Sequence, residues 1–144
     1  ANLSAGRIGV AAQAVGGARA AFEAALNYAQ EREAFGKPII EHQAVAFRLA
    51  DMATKIEVGR QMYLHAAQIH DSGAPSLKEA SMAKLFASDM AETVASDALQ
   101  AFGGYGYLED FPVAKILRDV RVYRIYEGTN DIQKIVISRA LASS

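Results

Sequence analysis

The chain contains no cysteine. That absence excludes disulfides, thiolate metal ligands and cysteine nucleophiles together. Proline is scarce as well, with 3 among 144 residues, so little interrupts a helix. No apolar run approaches the roughly 20 residues that a membrane-spanning helix needs. Neither sign of charge dominates: 15 basic and 16 acidic side chains leave a formal net charge of −1. Nucleic acid and anionic membrane surfaces are therefore not expected as partners. The three histidines suggest no metal site, because His65 and His70 fall on different faces of a helix and no carboxylate cluster completes a ligand set with His42. The start, Ala1-Asn2-Leu3-Ser4, has neither an initiator methionine nor a signal-peptide pattern. It reads as a cut inside a longer polypeptide.

What the chain does have is apolar residues, 51% of the total, with abundant alanine, a composition that favours long helices. A first helix is expected from an N-cap at Ser4 to about Glu31, ended by Phe35-Gly36-Lys37-Pro38, since proline disfavours α conformation in the residue before it. Its small-residue stretch over 9–18 suggests close packing on a neighbour. A second helix is expected over about 41–71, with Val45, Leu49, Met52, Ile56 and Tyr63 on one face. Ser76 with Glu79 reads as a capping box opening a third, whose apolar stripe is Met82, Leu85, Phe86, Met90 and Val94 and which ends at Gly103 and Gly104. Pro112 suits the first turn of a short helix over roughly 113–120. After a break at Glu127-Gly128-Thr129, Asn130 with Gln133 is expected to cap a last helix, although Thr129 competes for that task. Three long helices and a broken fourth read as an all-α, up-down-up-down four-helix bundle forming a single domain over 1–144.

Three stretches stand out from ordinary bundle sequence: Glu31-Arg32-Glu33-Ala34-Phe35-Gly36-Lys37-Pro38-Ile39, Gln100-Ala101-Phe102-Gly103-Gly104-Tyr105-Gly106-Tyr107, and Ile125-Tyr126-Glu127-Gly128-Thr129-Asn130-Asp131-Ile132-Gln133. Each falls at a helix terminus or break, where backbone groups are free to meet a ligand. Their order and spacing, with Gly6-Arg7-Ile8-Gly9 and Glu41-His42-Gln43, resembles the C-terminal domain of acyl-CoA dehydrogenases over essentially the whole chain, most closely the short-chain and short branched-chain members.

The resemblance implies an FAD-dependent enzyme that converts an acyl-CoA to a trans-2-enoyl-CoA. Glu127 matches the base that takes the α-proton, while the β-hydrogen leaves as hydride to the flavin. A thioester α-proton is barely acidic, so the base must be desolvated to raise its pKa and the developing enolate must be stabilised. In the family, hydrogen bonds from a flavin ribityl hydroxyl and from this glutamate's own N–H do the latter. Arg32 matches an arginine on the FAD pyrophosphate of a neighbouring subunit, with Phe35 and Gln43 against the same cofactor; read on their own, Arg32 complements a helix C-terminus and Phe35 plugs a helix end. Gln100, Gly103 and Gly104 match a stretch at the adenine-dinucleotide half of FAD across a subunit interface, and Thr129 and Asp131 a segment that touches FAD. Arg7, Ser4, Tyr126 and Gly128 fall on the acyl-CoA side, Ser4 standing where many relatives carry aspartate. A minority of relatives place the base on the first helix, and Gly6 excludes that here.

The implied partners are acyl-CoA, an electron-transferring flavoprotein and further copies of the chain in a dimer or tetramer. An N-terminal helical domain and a middle β-domain are expected elsewhere in the polypeptide. The implied location is the cytoplasm in a bacterium or the mitochondrial matrix in a eukaryote. Two rivals stand beside this reading: a flavin oxidase or monooxygenase on the same fold, and a non-catalytic helical assembly module.

Overall fold

The computed structural model describes residues 3–143, and alanine governs how they pack. On helix α1 (Leu3–Glu31), Ala11, Ala14, Ala18, Ala21, Ala25 and Ala29 are fully buried. They recur every three or four residues, the spacing of one helical face. On α3 (Leu77–Phe102), Ala83, Ala87, Ala91, Ala95 and Ala98 do the same. Two alanine faces bury little area each, but they let two backbones approach closely, and dispersion at close range compensates. The α1–α3 seam is the main contact of the molecule. Helix α2 (Gln43–Asp71) packs on both, burying Leu49, Met52, Ile56, Gly59 and Ala66. A short connection between helices of this length makes α2 and α3 antiparallel neighbours.

The broken fourth helix is α4 (Pro112–Arg121), a 3₁₀ turn Val122–Arg124, a loop, and α5 (Asn130–Ala142). Helix α4 lies against α1 and α3, and α5 lies against α3. The all-α bundle is as expected. The only sheet among the described residues is a hairpin of β1 (Glu33–Ala34) and β2 (Lys37–Pro38), turning at Phe35 and Gly36.

Several local expectations need correction. Ser4 lies inside α1 and is no cap. Helix α2 begins at Gln43, because Ile39–Glu41 forms a separate 3₁₀ turn. Ser76 sits at the N-cap of α3, but its hydroxyl makes no cap bond; it pairs with His70 Nδ1 at 3.2 Å. At α5 the N-cap residue is Thr129, also without a side-chain cap bond. Asn130 and Gln133 turn inward instead. The stripe predicted for α3 is only half right: Met90 and Val94 are buried, whereas Met82, Leu85 and Phe86 line an apolar groove beside Met62. The face of α3 that enters the core carries Ser81, Lys84 and Ser88 among its alanines. The small-residue stretch packs closely at Gly17, where a Cβ would stand 2.9 Å from Val120 Cγ1, while Gly9 and Gly16 face open space.

Candidate active site

Glu127 follows the 3₁₀ turn and precedes α5, with φ +56, and Gly128 follows at φ +85. A non-glycine residue in this region costs on the order of 1–3 kcal/mol and persists only where its surroundings enforce it. Those surroundings are polar and lie underneath. Gln133 Nε2 donates to the carbonyls of Glu127 at 3.2 Å and Gly128 at 2.8 Å. Lys84 Nζ, from α3, donates to the Gly128 carbonyl at 2.9 Å and to Asn130 Oδ1 at 2.9 Å. Asn130 Nδ2 donates in turn to Ser88 Oγ and Asp89 Oδ1, both at 2.9 Å. Lys84 and Gln133 are fully buried. Burial, and then the nearby Arg7 guanidinium, pushes the Lys84 ammonium from its ordinary 10.5 down to about 8, against the opposing pull of Asp89 and Glu127.

The Glu127 carboxylate lies over α1. A Cβ built on Gly6 would stand 2.7 Å from Glu127 Oε2, inside the distance at which a side-chain carbon and an oxygen make contact. A methyl group at position 6 would oblige the end of the Glu127 side chain to shift, so glycine there leaves that place to the carboxylate. Glu127 as a residue is exposed, and among the described residues no hydrogen bond holds its carboxylate. The dry environment expected for the base is therefore not supplied by this chain, whose contribution is a floor and a direction. Among the described residues nothing accepts the Glu127 N–H either, so this donor is free for a ligand.

The other expected acyl-CoA residues surround this loop unevenly. Tyr126 donates its hydroxyl to Gln13 Oε1 at 2.8 Å and stacks on Tyr123; burial, with Tyr123 and Glu127 nearby, raises its phenol above the ordinary value. Ser4 is half-buried in the first turns of α1. Arg7 is turned inward, 4% exposed, and donates Nη1 to Ser81 Oγ at 3.0 Å. Its guanidinium is directed into the bundle. Thr129 and Asp131 are exposed beside Glu127.

The remaining cofactor candidates gather at the opposite end of α1. Arg32, Gln100, Gly103 and Gly104 line one cavity of about 510 Å³ with Tyr28 and Tyr105. Gly103 has φ +62, and a Cβ on either glycine would meet nothing within 4 Å. The Arg32 guanidinium lies 5.6 Å from the Tyr105 ring centroid, and no carboxylate pairs with it among the described residues. Phe35, at φ +54 on the hairpin tip, is 97% exposed, which overturns its reading as a helix-end plug. Gln43 is exposed at the start of α2. An unpaired guanidinium beside uncovered backbone and aromatic rings suits a ligand with anionic and planar parts, as FAD has. Position 6 and position 32 are 26 residues apart, roughly 40 Å at 1.5 Å per helical residue, so the two clusters lie at opposite ends of the bundle. Sequence reasoning missed Lys84, Ser81 and Ser88, whose partners are far along the chain.

Fold and site define an all-α domain that presents an exposed glutamate at a helix break. Residues 1–142 match the family model described as the acyl-CoA dehydrogenase C-terminal domain. An acyl-CoA dehydrogenase of Bacillus subtilis is 55% identical over 141 residues, 98% of this chain and 37% of that protein. The caffeyl-CoA reductase–Etf complex subunit CarC of Acetobacterium woodii is 46% identical over 140 residues, 97% of this chain and 37% of its own length. The structure of butyryl-CoA dehydrogenase from Megasphaera elsdenii superposes with a TM-score of 0.96 at 47% identity, covering 97% of this chain and 37% of that one. The chain belongs to the acyl-CoA dehydrogenase family, as its C-terminal domain, and spans a little over a third of the length of these relatives.

Proposed function

We propose that the protein carrying this domain is an FAD-dependent acyl-CoA dehydrogenase that converts an acyl-CoA thioester to its trans-2-enoyl-CoA, with Glu127 as the base. The observation that carries this is the Glu127 carboxylate set over Gly6 with its own N–H unused. The carboxylate takes the α-proton. The N–H donates to the thioester carbonyl, where negative charge develops as that proton leaves. FAD, when bound, supplies the acceptor for the hydride that departs from the β-carbon. Desolvation of the base comes from cofactor, substrate and the N-terminal and middle domains closing over it.

The separation of the two clusters supports a homo-oligomer in which Arg32, Phe35 and Gln100 grip a flavin whose reaction is served by another copy's glutamate. An electron-transferring flavoprotein is the proposed electron acceptor, in line with the Etf complex named for the Acetobacterium relative.

The test is Glu127→Gln in the full-length flavoprotein. The variant should stay yellow, and anaerobic bleaching by a short acyl-CoA should slow by about 10²–10⁴-fold, the usual contribution of a positioned base. An undiminished bleaching rate removes Glu127 from the chemistry. Rapid reoxidation by oxygen with release of peroxide assigns the protein to the oxidase branch instead.

A further inference from the structure

Lys84 has no place in the chemistry above, yet it occupies the most restrictive position near the site. Lysine is almost never fully buried unless paired. Lys84 is 0% exposed, and among the described residues no carboxylate lies in ion-pair contact with it. Its donors go to neutral oxygens, the Gly128 carbonyl and Asn130 Oδ1. Methionine would fill much the same space without removing a charge from water, so the unfavourable burial must be offset by what those bonds accomplish.

Both acceptors belong to the segment that follows Glu127. The Gly128 carbonyl closes a stretch in which two successive residues hold positive φ. Asn130 opens α5 and is tied by Ser88 and Asp89 to the same face of α3. Gln133 also grips the Glu127 and Gly128 carbonyls, but it does so from α5, which moves with the loop. Lys84 reaches the loop backbone from α3, whose alanine face is locked against α1. It therefore connects the loop carrying Glu127 to the helix pair that carries Gly6.

We propose that Lys84 is a positioning residue for the base: by donating to the Gly128 carbonyl and to Asn130 from within the bundle, it fixes the left-handed backbone at residues 127 and 128 and so aims the Glu127 carboxylate over Gly6. This rests on the reading of Glu127 as the base. The charged groups around the lysine are Arg7 of α1, Asp89 of α3, Arg124 of the 3₁₀ turn and Glu127 itself. None of them supplies a second donor to the Gly128 carbonyl.

The experiment uses the full-length flavoprotein with Lys84→Met and Lys84→Gln, beside Glu127→Gln. Two readouts do not depend on flavin reduction: deuterium uptake at the α-carbon of a bound acyl-CoA that lacks a β-hydrogen, and amide exchange of the peptide over 125–133. Lys84→Met should slow α-deuteration about tenfold or more and speed amide exchange of that peptide, with flavin content kept and acyl-CoA affinity within about twofold. Lys84→Gln, which keeps one donor, should lie between it and the wild type. Glu127→Gln should abolish α-deuteration while leaving amide exchange unchanged. Wild-type deuteration in whichever Lys84 variant folds overturns the proposal and leaves the base intact. If neither variant assembles, the residue is structural and the proposal is equally overturned. Persistent deuteration in Glu127→Gln instead removes the base.

Discussion

Phe35 and Glu127 are the two non-glycine residues at positive φ among those described, and the chain braces them in opposite ways. Glu127 is held from below by Lys84, Gln133 and Asn130, side chains buried in the bundle. Phe35 is held only by backbone and edge contacts: the Ile39 N–H donates to the Arg32 carbonyl at 2.8 Å, and His42 Nε2 bonds the Ala34 carbonyl at 2.8 Å. The first device fixes the backbone beneath a carboxylate that lies over a surface the chain itself provides. The second leaves a ring exposed on a braced backbone. Comparable strain thus marks one region braced by buried side chains and one braced by backbone and edge contacts alone.

The contrast is broken most sharply at Gly6. Gly6→Ala puts a methyl carbon 2.7 Å from Glu127 Oε2, so the carboxylate must swing aside; because a displacement of about 1 Å can cost on the order of 10²-fold, anaerobic flavin reduction should fall by up to about that factor. Flavin content should not change. A normal rate would mean that the carboxylate works from another position. A smaller effect is expected at the other end. Arg32→Ala should weaken flavin retention by roughly ten- to a hundredfold, the value of a charge-assisted hydrogen bond of about 1.5–3 kcal/mol, read as faster flavin loss on dilution. The molecules that keep their flavin should bleach at the wild-type rate; a loss of rate without loss of flavin would dissolve the distinction between the two ends.

The smallest effect sharpens the account of the internal brace. Folding holds the Lys84 ammonium at about 8 against an ordinary 10.5. Below about pH 8 both states keep the proton and the folded state bears the whole cost of burying it. Between about 8 and 10.5 the folded protein releases the proton while the unfolded chain retains it, so stability rises with pH. The thermal midpoint of the wild type should therefore gain on that of Lys84→Met between pH 7.5 and 9.5. Tyr126, whose phenol is raised, acts in the opposite sense only above about 10. Parallel midpoints would mean that Lys84 is charged and solvated in solution.

Much of this architecture is legible from the sequence. The breaks at Pro38, Gly73 and Gly103 and the 3.6-residue spacing of Leu49, Met52 and Ile56 place the long helices within a few residues. Glu127 is singled out in the sequence by its neighbours, Tyr126 and Gly128-Thr129, in order with two other stretches. Lys84 is not legible, because in Met82-Ala83-Lys84-Leu85-Phe86 a lysine reads as solvated, and its partners lie 44 and 46 residues away. The caps at Ser76 and Asn130 misled for a related reason. Local pattern offers each side chain a bond to its own helix end, and tertiary partners, His70 in one case and Ser88 with Asp89 in the other, took the side chain instead. Gly6 shows the same limit from the other direction: the residue is plain in the sequence, and what occupies the vacated space comes from 121 positions later.

The hairpin at Phe35 has one more consequence. A ring on a loose loop must surrender rotational and backbone freedom when something covers it, at about 1–2 kcal/mol for each residue that becomes ordered. Here a two-residue turn, a two-pair ladder and an imidazole bond to the Ala34 carbonyl have already removed much of the backbone part of that freedom. Any surface that came to cover Phe35 would meet a backbone set in place beforehand, and would have to order little more than the ring.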